Sequence, residues 1–232
     1  MNDPKLSTMV VLYNMNFKLN TDKVLQLLPL NEEIIKIEKR GILRRGESSR
    51  DKIKRRSKKE VKTKTGFGHN SITIVMMNNG NGKFPLKEIT IKIFQNGVFH
   101  LTGILDESYD SECMNILCNT LWSSCLESII EPPEKWEINK RRVVLMNYTT
   151  ELYPLTTIPR ESFYNQIKHL ENIDVTYNPD VYPGVKIQFK NNWTAKMFRT
   201  GKIILTGITT HEQCKELMTL LRDLLKYLPK VK

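Results

Sequence analysis

The sequence of 232 residues has little cysteine and none of the familiar catalytic patterns. Its four cysteines are Cys113, Cys118, Cys125 and Cys214. They form no C-x-x-C pair, so neither a disulfide framework nor a zinc site is indicated. No G-x-S-x-G or H-E-x-x-H sequence occurs, and the four histidines are scattered without ligand spacing. We therefore expect a protein that is not an enzyme, holds no metal or cofactor, and works in a reducing compartment.

Long apolar runs are also absent. No stretch approaches the ~18 residues that a membrane-spanning helix needs, and the first residues, MNDPKLSTMVVLYN, lack the features of a secretory signal. Apolar residues make up 40% of the chain and charged residues 26%, which is enough apolar surface for a packed core. We expect a folded protein that has no membrane partner and is not secreted.

Positive charge is concentrated in one segment. The net charge is +11, and residues 36–64 hold 14 Lys or Arg against 4 Asp or Glu, which gives +10 there and +1 elsewhere. The segment has no apolar period, and we expect a loop or a disordered insert over about residues 39–66. A dense basic run is typical of phosphate contacts. A solvated loop or a nuclear-import signal is the alternative interpretation.

One pattern occurs twice, as IKIFQNGVFHLTGI at residues 91–104 and as AKMFRTGKIILTGI at residues 195–208. The period is about half the chain, so the repeated unit is a whole lobe. Turn signals and apolar periods predict the same order in each half: a strand, a helix, several antiparallel strands and a second helix. We expect an α+β protein with repeats at residues 1–131 and 132–232.

The repeat, with F-x-x-G followed by T-G, resembles the core of the TATA-box-binding protein family. In the second half, YNPDVYPG at residues 177–184 resembles the family's Y-E-P-E-L-F-P-G, and FRTGKIILTG at residues 198–207 resembles its F-V-S-G-K-V-V-L-T-G. The divergence and the composition resemble the versions found in large DNA viruses. The resemblance implies a saddle: two pseudo-twofold repeats that form one curved antiparallel sheet, with helices on the convex face.

The family resemblance also implies a mechanism. Its members bind and kink duplex DNA through the minor groove with paired aromatic wedges, and A·T-rich sequences are preferred because their steps deform easily. Carried over residue by residue, the wedges are Phe67, Phe94, Tyr182 and Phe198. Thr102 and Thr206 match residues that touch base edges, and Lys202, beside Arg199, matches a phosphate contact. We add the basic segment as a phosphate-binding extension, represented by Arg44, Arg45, Lys54, Arg55, Arg56, Lys58 and Lys59.

Protein partners follow from the same resemblance. A protein like transcription factor IIB is expected at Asp180 and Tyr182, together with the RNA polymerase machinery. The expected location is the nucleus or a viral replication compartment in the cytoplasm. The predicted function is a transcription initiation factor that binds duplex DNA, either with an A·T preference or without sequence preference.

Two other functions stay open. Val10 and Leu145 stand where the family places asparagines that bind the minor groove, and the chain outside the basic segment is almost neutral. Both features favour a protein-interaction scaffold of a transcription complex that has lost TATA recognition. An RNA-binding α+β domain with stacking aromatics is the third possibility. An isolated Phe is more often a core residue than a wedge, so the position of the four rings decides between these interpretations.

Overall fold

A computed structural model describes residues 1–52, 71–152 and 157–229 of the chain. The chain divides into two compact units, which we call the amino-terminal unit (Val10–Arg142) and the carboxy-terminal unit (Met1–Met9 with Val143–Lys232). Two long strands, β1 (Lys5–Met15) and β9 (Ile138–Glu151), have residues in both units. The amino-terminal end of the chain is therefore part of the carboxy-terminal unit.

The amino-terminal unit contains a mainly antiparallel sheet with two helices. Besides its part of β1, it is built from β2 (Lys18–Leu19), α1 (Thr21–Leu27), β3 (Ile34–Lys39), β4 (Leu43–Gly46), β5 (Ser71–Asn78), β6 (Lys87–Phe94), β7 (Val98–Ile104), α2 (Glu107–Ser124) and β8 (Ile129–Ile130). The strand order is β1-β7-β6-β5-β3-β4, and β2 pairs separately with β8. Short 3-10 turns follow β4 at Ser49–Lys52 and α2 at Leu126–Ser128.

The carboxy-terminal unit repeats this plan with fewer strands. After its part of β9 come α3 (Arg160–Ile167), β10 (Ile173–Asn178), β11 (Tyr182–Phe189), β12 (Thr194–Met197), β13 (Lys202–Ile208) and α4 (His211–Leu225). The strand order is β10-β11-β12-β13-β9, and all four neighbouring pairs in it are antiparallel.

Alternation along the strands separates two faces in each sheet. In β6 the side chains of Ile89, Ile91 and Ile93 are fully buried, whereas Thr90 and Lys92 between them are partly exposed. Helix α2 packs on β5 and β7, and α4 packs on β13, so the apolar residues lie under the helices. Each buried isoleucine contributes about 1.5–3 kcal/mol to folding. We call the opposite side of each sheet, where the polar residues of the alternation lie, the outer face.

A buried ionic cluster fixes α2 to the sheet of the amino-terminal unit. Asp110 is 0% exposed, and its carboxylate accepts hydrogen bonds from Tyr13 Oη at 2.6 Å and from Arg141 Nε at 2.8 Å. Burial and the bond to Asp110 raise the pKa of Tyr13. Burial alone would lower the pKa of Arg141, but its bonds to Asp110 outweigh that effect and raise it. Tyr13 therefore stays neutral and Arg141 stays protonated near neutral pH.

The sequence repeat is a repeated β-hairpin. In β6–β7 the amide of Gly97 donates to the carbonyl of Phe94 at 3.1 Å, and in β12–β13 the amide of Gly201 donates to the carbonyl of Phe198 at 3.0 Å. Both glycines have positive φ, +79° and +82°. A Cβ on Gly97 would lie 2.1 Å from the carbonyl oxygen of Phe17, so the turn requires glycine there. The duplicated motif thus has a duplicated backbone.

These observations confirm the predicted α+β class, with antiparallel strands and helices on one side. They also correct one expectation. Residues Leu43–Gly46 of the basic segment, expected to be a loop, form strand β4, because they pair in register with β3. Helix α1 is capped by Asn20, whose side chain accepts from the amides of Asp22 and Lys23. Helix α2 ends at Ser124.

Candidate nucleic-acid interface

Tyr182 and Phe198 form an aromatic pair at the surface of the carboxy-terminal unit. Their ring centroids are 5.8 Å apart and the ring planes meet at 62°. Tyr182 is 37% exposed at the start of β11, and Phe198 is partly exposed at the turn after β12. Phe198 continues the outer-face alternation, since Met197 before it is buried. The two rings therefore lie where a partner at the outer face can reach them.

Gly184 makes room for this pair. A Cβ on Gly184 would lie 3.0 Å from the ring of Tyr182 and 3.3 Å from the ring of Phe198. Those separations are tighter than ordinary van der Waals contact, so a larger residue would push the rings away. The side chain of Arg160, on α3, donates to the carbonyl of Pro183 and lies over the ring of Tyr177 at 5.5 Å. The β10–β11 hairpin that carries Tyr182 is thus held by α3.

Besides Arg160, four cations lie around the aromatic pair: Lys186, Lys196, Arg199 and Lys202. Lys196 Nζ lies 5.7 Å from the centre of the Tyr182 ring, within the range of a cation–π contact. Lys186 is directly opposite Lys196 in the β11–β12 register. Like charges directly opposite each other destabilise a sheet, and an anionic partner would relieve that cost.

The outer face of the carboxy-terminal unit also carries hydrogen-bonding groups. Thr206 alternates with buried Leu205 and Ile208 and is partly exposed. Asn147 lies between buried Met146 and Tyr148 on β9, so its amide points to the outer face. Among the described residues its Oδ1 atom is buried without a hydrogen-bond partner. An amide can donate to the minor-groove acceptors of A·T pairs or accept from the guanine amino group.

The amino-terminal unit presents equivalent positions. Phe94 is partly exposed at the end of β6, and Thr102 on β7 donates to the carbonyl of Thr90 at 3.4 Å. Thr90 and Thr102 are register partners on the outer face. Phe67, the predicted second wedge of this unit, lies outside the described residues. Four of the predicted site residues are therefore on outer faces, and none of them is sealed beneath a helix: Phe94, Thr102, Phe198 and Thr206.

Two arginines of the basic segment, Arg44 and Arg45, have internal partners. Arg45 donates through Nη1 to the carbonyls of Leu25 at 3.1 Å and Gln26 at 2.9 Å, and so satisfies the end of α1. Arg44 Nη2 lies 2.6 Å from a carboxylate oxygen of Asp51. Both are thus used in folding, and Arg44 is still 43% exposed. The other cations predicted in the segment lie outside the described residues: Lys54, Arg55, Arg56, Lys58 and Lys59.

The turn between β10 and β11 forms an exposed tip. The amide of Asp180 donates to Asn178 Oδ1 at 3.1 Å, and the amide of Val181 donates to the carbonyl of Asn178 at 3.2 Å. Asp180 is exposed, and Val181 is 81% exposed. The tip therefore presents one carboxylate and one apolar side chain to solvent.

The chain matches the family model of transcription factor TFIID (or TATA-binding protein, TBP) over residues 164–228. That range contains the aromatic pair and all four surrounding cations. The TBP of Methanococcus jannaschii has the same fold, with a TM-score of 0.58 and 14% identity, over 98% of this chain and 100% of the archaeal chain. The family match thus covers part of the carboxy-terminal unit, and the likeness to the archaeal protein shows that the whole described chain has the TBP fold. A sequence search of curated proteins finds no match, as such divergence leads one to expect.

The TBP family consists of DNA-binding transcription factors that are not enzymes, and the fold and domain here are of that type. In the part of the chain that the structure describes, no group of acidic, Cys or His side chains is arranged to hold a metal ion. No helix in that part is long and apolar enough to cross a membrane.

Sequence reasoning missed several residues of the candidate TBP-like interface. Lys186 and Lys196 meet only through strand register, and Arg160 reaches the β10–β11 hairpin only through the packing of α3. Asn147 follows Leu145 by two residues on β9, and residues two apart on a strand face the same side of the sheet. That spacing indicates that Asn147 can take the place of the asparagine expected at Leu145.

Proposed function

We propose that this chain is a TBP-type transcription initiation factor that binds the minor groove of duplex DNA and kinks it with aromatic wedges. The observation that carries the proposal is the Tyr182–Phe198 pair, partly exposed at the outer face and ringed by four cations. Rings that insert between base steps, as described for this family, cost a few kcal/mol per unstacked step, and the larger contact surface of the bent duplex offsets that cost.

Several neighbouring groups support the same mode of binding. Lys202 and Arg199 stand beside Phe198, where the phosphates of a kinked duplex would come close. Thr206 and the Asn147 amide, on the same outer face, offer hydrogen bonds to base edges. Because the minor groove of A·T pairs presents only acceptors, the donor groups of these side chains favour A·T-rich sites.

The exposed tip at Asp180 and Val181 is the proposed contact for a protein like transcription factor IIB. A single carboxylate beside an exposed valine suits a partner surface with one basic group and an apolar rim. The proposed setting is the nucleus or a viral replication compartment, where the RNA polymerase machinery would be recruited.

The test is a bend-angle and affinity measurement on an A·T-rich duplex, a scrambled duplex and single-stranded RNA. Phe198→Ala and Phe94→Ala should each reduce the bend, and the double variant should remove most of it. Tyr227→Ala is the matched control, because Tyr227 is 43% exposed near the end of α4 and should not affect bending. Tight binding to the duplex with no bend, or a bend that both alanines leave intact, would refute wedging.

A scaffold that does not bind DNA is the second candidate, and one observation favours it. Val10 and Leu145 are apolar at outer-face positions, so two hydrogen-bonding groups of the family's interface are absent there. Absence of duplex binding at low salt, with a partner protein still bound through Asp180 and Val181, would decide for the scaffold. Preference for single-stranded RNA over both duplexes would indicate RNA binding instead.

A further inference from the structure

A lysine on the outer face of the amino-terminal unit is buried. Lys36 on β3 is only 6% exposed. Lysine is almost never buried unless its charge is paired, and here the Nζ atom lies 2.5 Å from Glu38 and 2.8 Å from Asp51. Burial alone would lower the pKa of Lys36, but the bonds to the two carboxylates raise it.

The chain segment that covers Lys36 is residues 48–51, which we call the strap. Asp51 is its anchor: one carboxylate oxygen binds Lys36, and the other accepts from the Ser48 amide at 2.8 Å and from Arg44 Nη2 at 2.6 Å. The bond from Lys36 and the bond from the Ser48 amide hold the pKa of Asp51 below its usual value. Asp51 is therefore ionised at neutral pH, and the strap is closed by charge-assisted bonds.

The strap continues across the sheet to the predicted DNA contacts. The Ser49 amide donates to Glu88 at 2.6 Å, and Arg50 Nη1 donates to Thr90 Oγ1 at 2.9 Å. Arg50 Nη2 is 3.6 Å from the position that a Cβ would have on Gly103. Thr90 is the register partner of Thr102, so the guanidinium lies on the patch that a minor groove would occupy.

We propose that the strap is an autoinhibitory contact: it occupies the outer face of the amino-terminal unit and must be displaced before a duplex can reach Thr102. This inference rests on the proposed function, since it assigns that face to DNA. The described residues place no comparable segment over the Tyr182–Phe198 pair. The duplex therefore meets the carboxy-terminal unit first, and engagement of the amino-terminal unit is the controlled step.

Two variants open the strap, each with a matched control. Asp51→Asn breaks the anchor, and Glu47→Gln makes the same change of charge on an exposed side chain beside the strap. Arg50→Lys keeps the charge but loses the planar fork that binds Thr90 and Glu88. Its control is Arg40→Lys, in the exposed turn between β3 and β4.

The first measurement needs no DNA. The substitution Thr102→Cys is introduced into the otherwise native protein, into each variant and into each control. The rate at which a thiol reagent labels this cysteine is then measured. The native cysteines stay silent, because all four are buried and burial raises their thiol pKa values, to about 12 for Cys113 and Cys118 and about 11 for Cys125 and Cys214. Labelling should be faster in Asp51→Asn and Arg50→Lys than in their controls.

The second measurement is duplex affinity. Loss of one strap hydrogen bond should tighten binding about five-fold relative to the matched control. If Arg50 instead reads the groove, Arg50→Lys binds more weakly, and the inference is overturned. Equal labelling rates in variants and controls overturn it as well, whatever the affinities. Faster labelling with no duplex binding by any protein at low salt shows that the strap opens but that the proposed function has failed.

Discussion

The salt dependence of DNA binding should report directly on the four cations around Tyr182 and Phe198. Each cation that neutralises a phosphate contributes about −0.9 to the slope of log affinity against log salt. Four contacts then give about −3.6, so a rise from 50 to 200 mM salt weakens binding by about 150-fold. We expect the slope for the double variant Lys196→Gln/Lys202→Gln to be less steep by about 1.8. The same rise in salt should then weaken DNA binding by the double variant only about 12-fold.

The assay is fluorescence anisotropy of a labelled A·T-rich duplex at several salt concentrations. Lys226→Gln is the matched control, because Lys226 follows α4 and pairs with Asp223 at 2.6 Å. Residues outside the described ranges can steepen the slope of both proteins, but they cancel in the difference. A difference below about 0.5 would mean that Lys196 and Lys202 do not touch phosphates, and the proposed orientation of the duplex would be wrong.

Two further predictions concern stability, measured by urea unfolding. Arg141→Met should lower the free energy of unfolding by about 3–5 kcal/mol, because it leaves the fully buried carboxylate of Asp110 with Tyr13 as its partner. The control Arg142→Met, at an exposed neighbouring residue, should lower it by less than about 0.5 kcal/mol. An equal loss in both variants would contradict the buried cluster. Gly97→Ala should destabilise the β6–β7 turn by about 2 kcal/mol or more, since the backbone has φ +79° and the added Cβ has no space; a neutral result would show that the turn can rearrange.

The repeated hairpin was accessible from sequence alone. Phe94 and Phe198, Gly97 and Gly201, and the two T-G pairs stand at the same spacing in each copy, and that spacing fixed the turn geometry. The family resemblance assigned Thr102 and Thr206 to the sheet face, and the alternation along β7 and β13 agrees with that assignment. The start of α4 is likewise set by near neighbours, because the Thr210 side chain accepts from the Gln213 amide.

The basic segment was harder to interpret, because its fold depends on distant partners. Leu43–Gly46 has no apolar period of its own and becomes a strand only by pairing with β3. Arg45 was predicted to contact phosphate, and the structure shows that its guanidinium also donates to the carbonyls at the end of α1. A count of charges cannot distinguish these roles, since either use needs the same cation.

The chain's own residues determined that there are two related lobes, where their hairpins turn, and which side chains alternate toward the helices, because those features depend on neighbours a few positions away. Tertiary structure alone decided that Lys186 meets Lys196, that Arg141 neutralises Asp110, and that residues 48–51 lie across the outer face. Each of these contacts depends on strand register or helix packing, which bring together charges that are distant or unremarkable in the sequence.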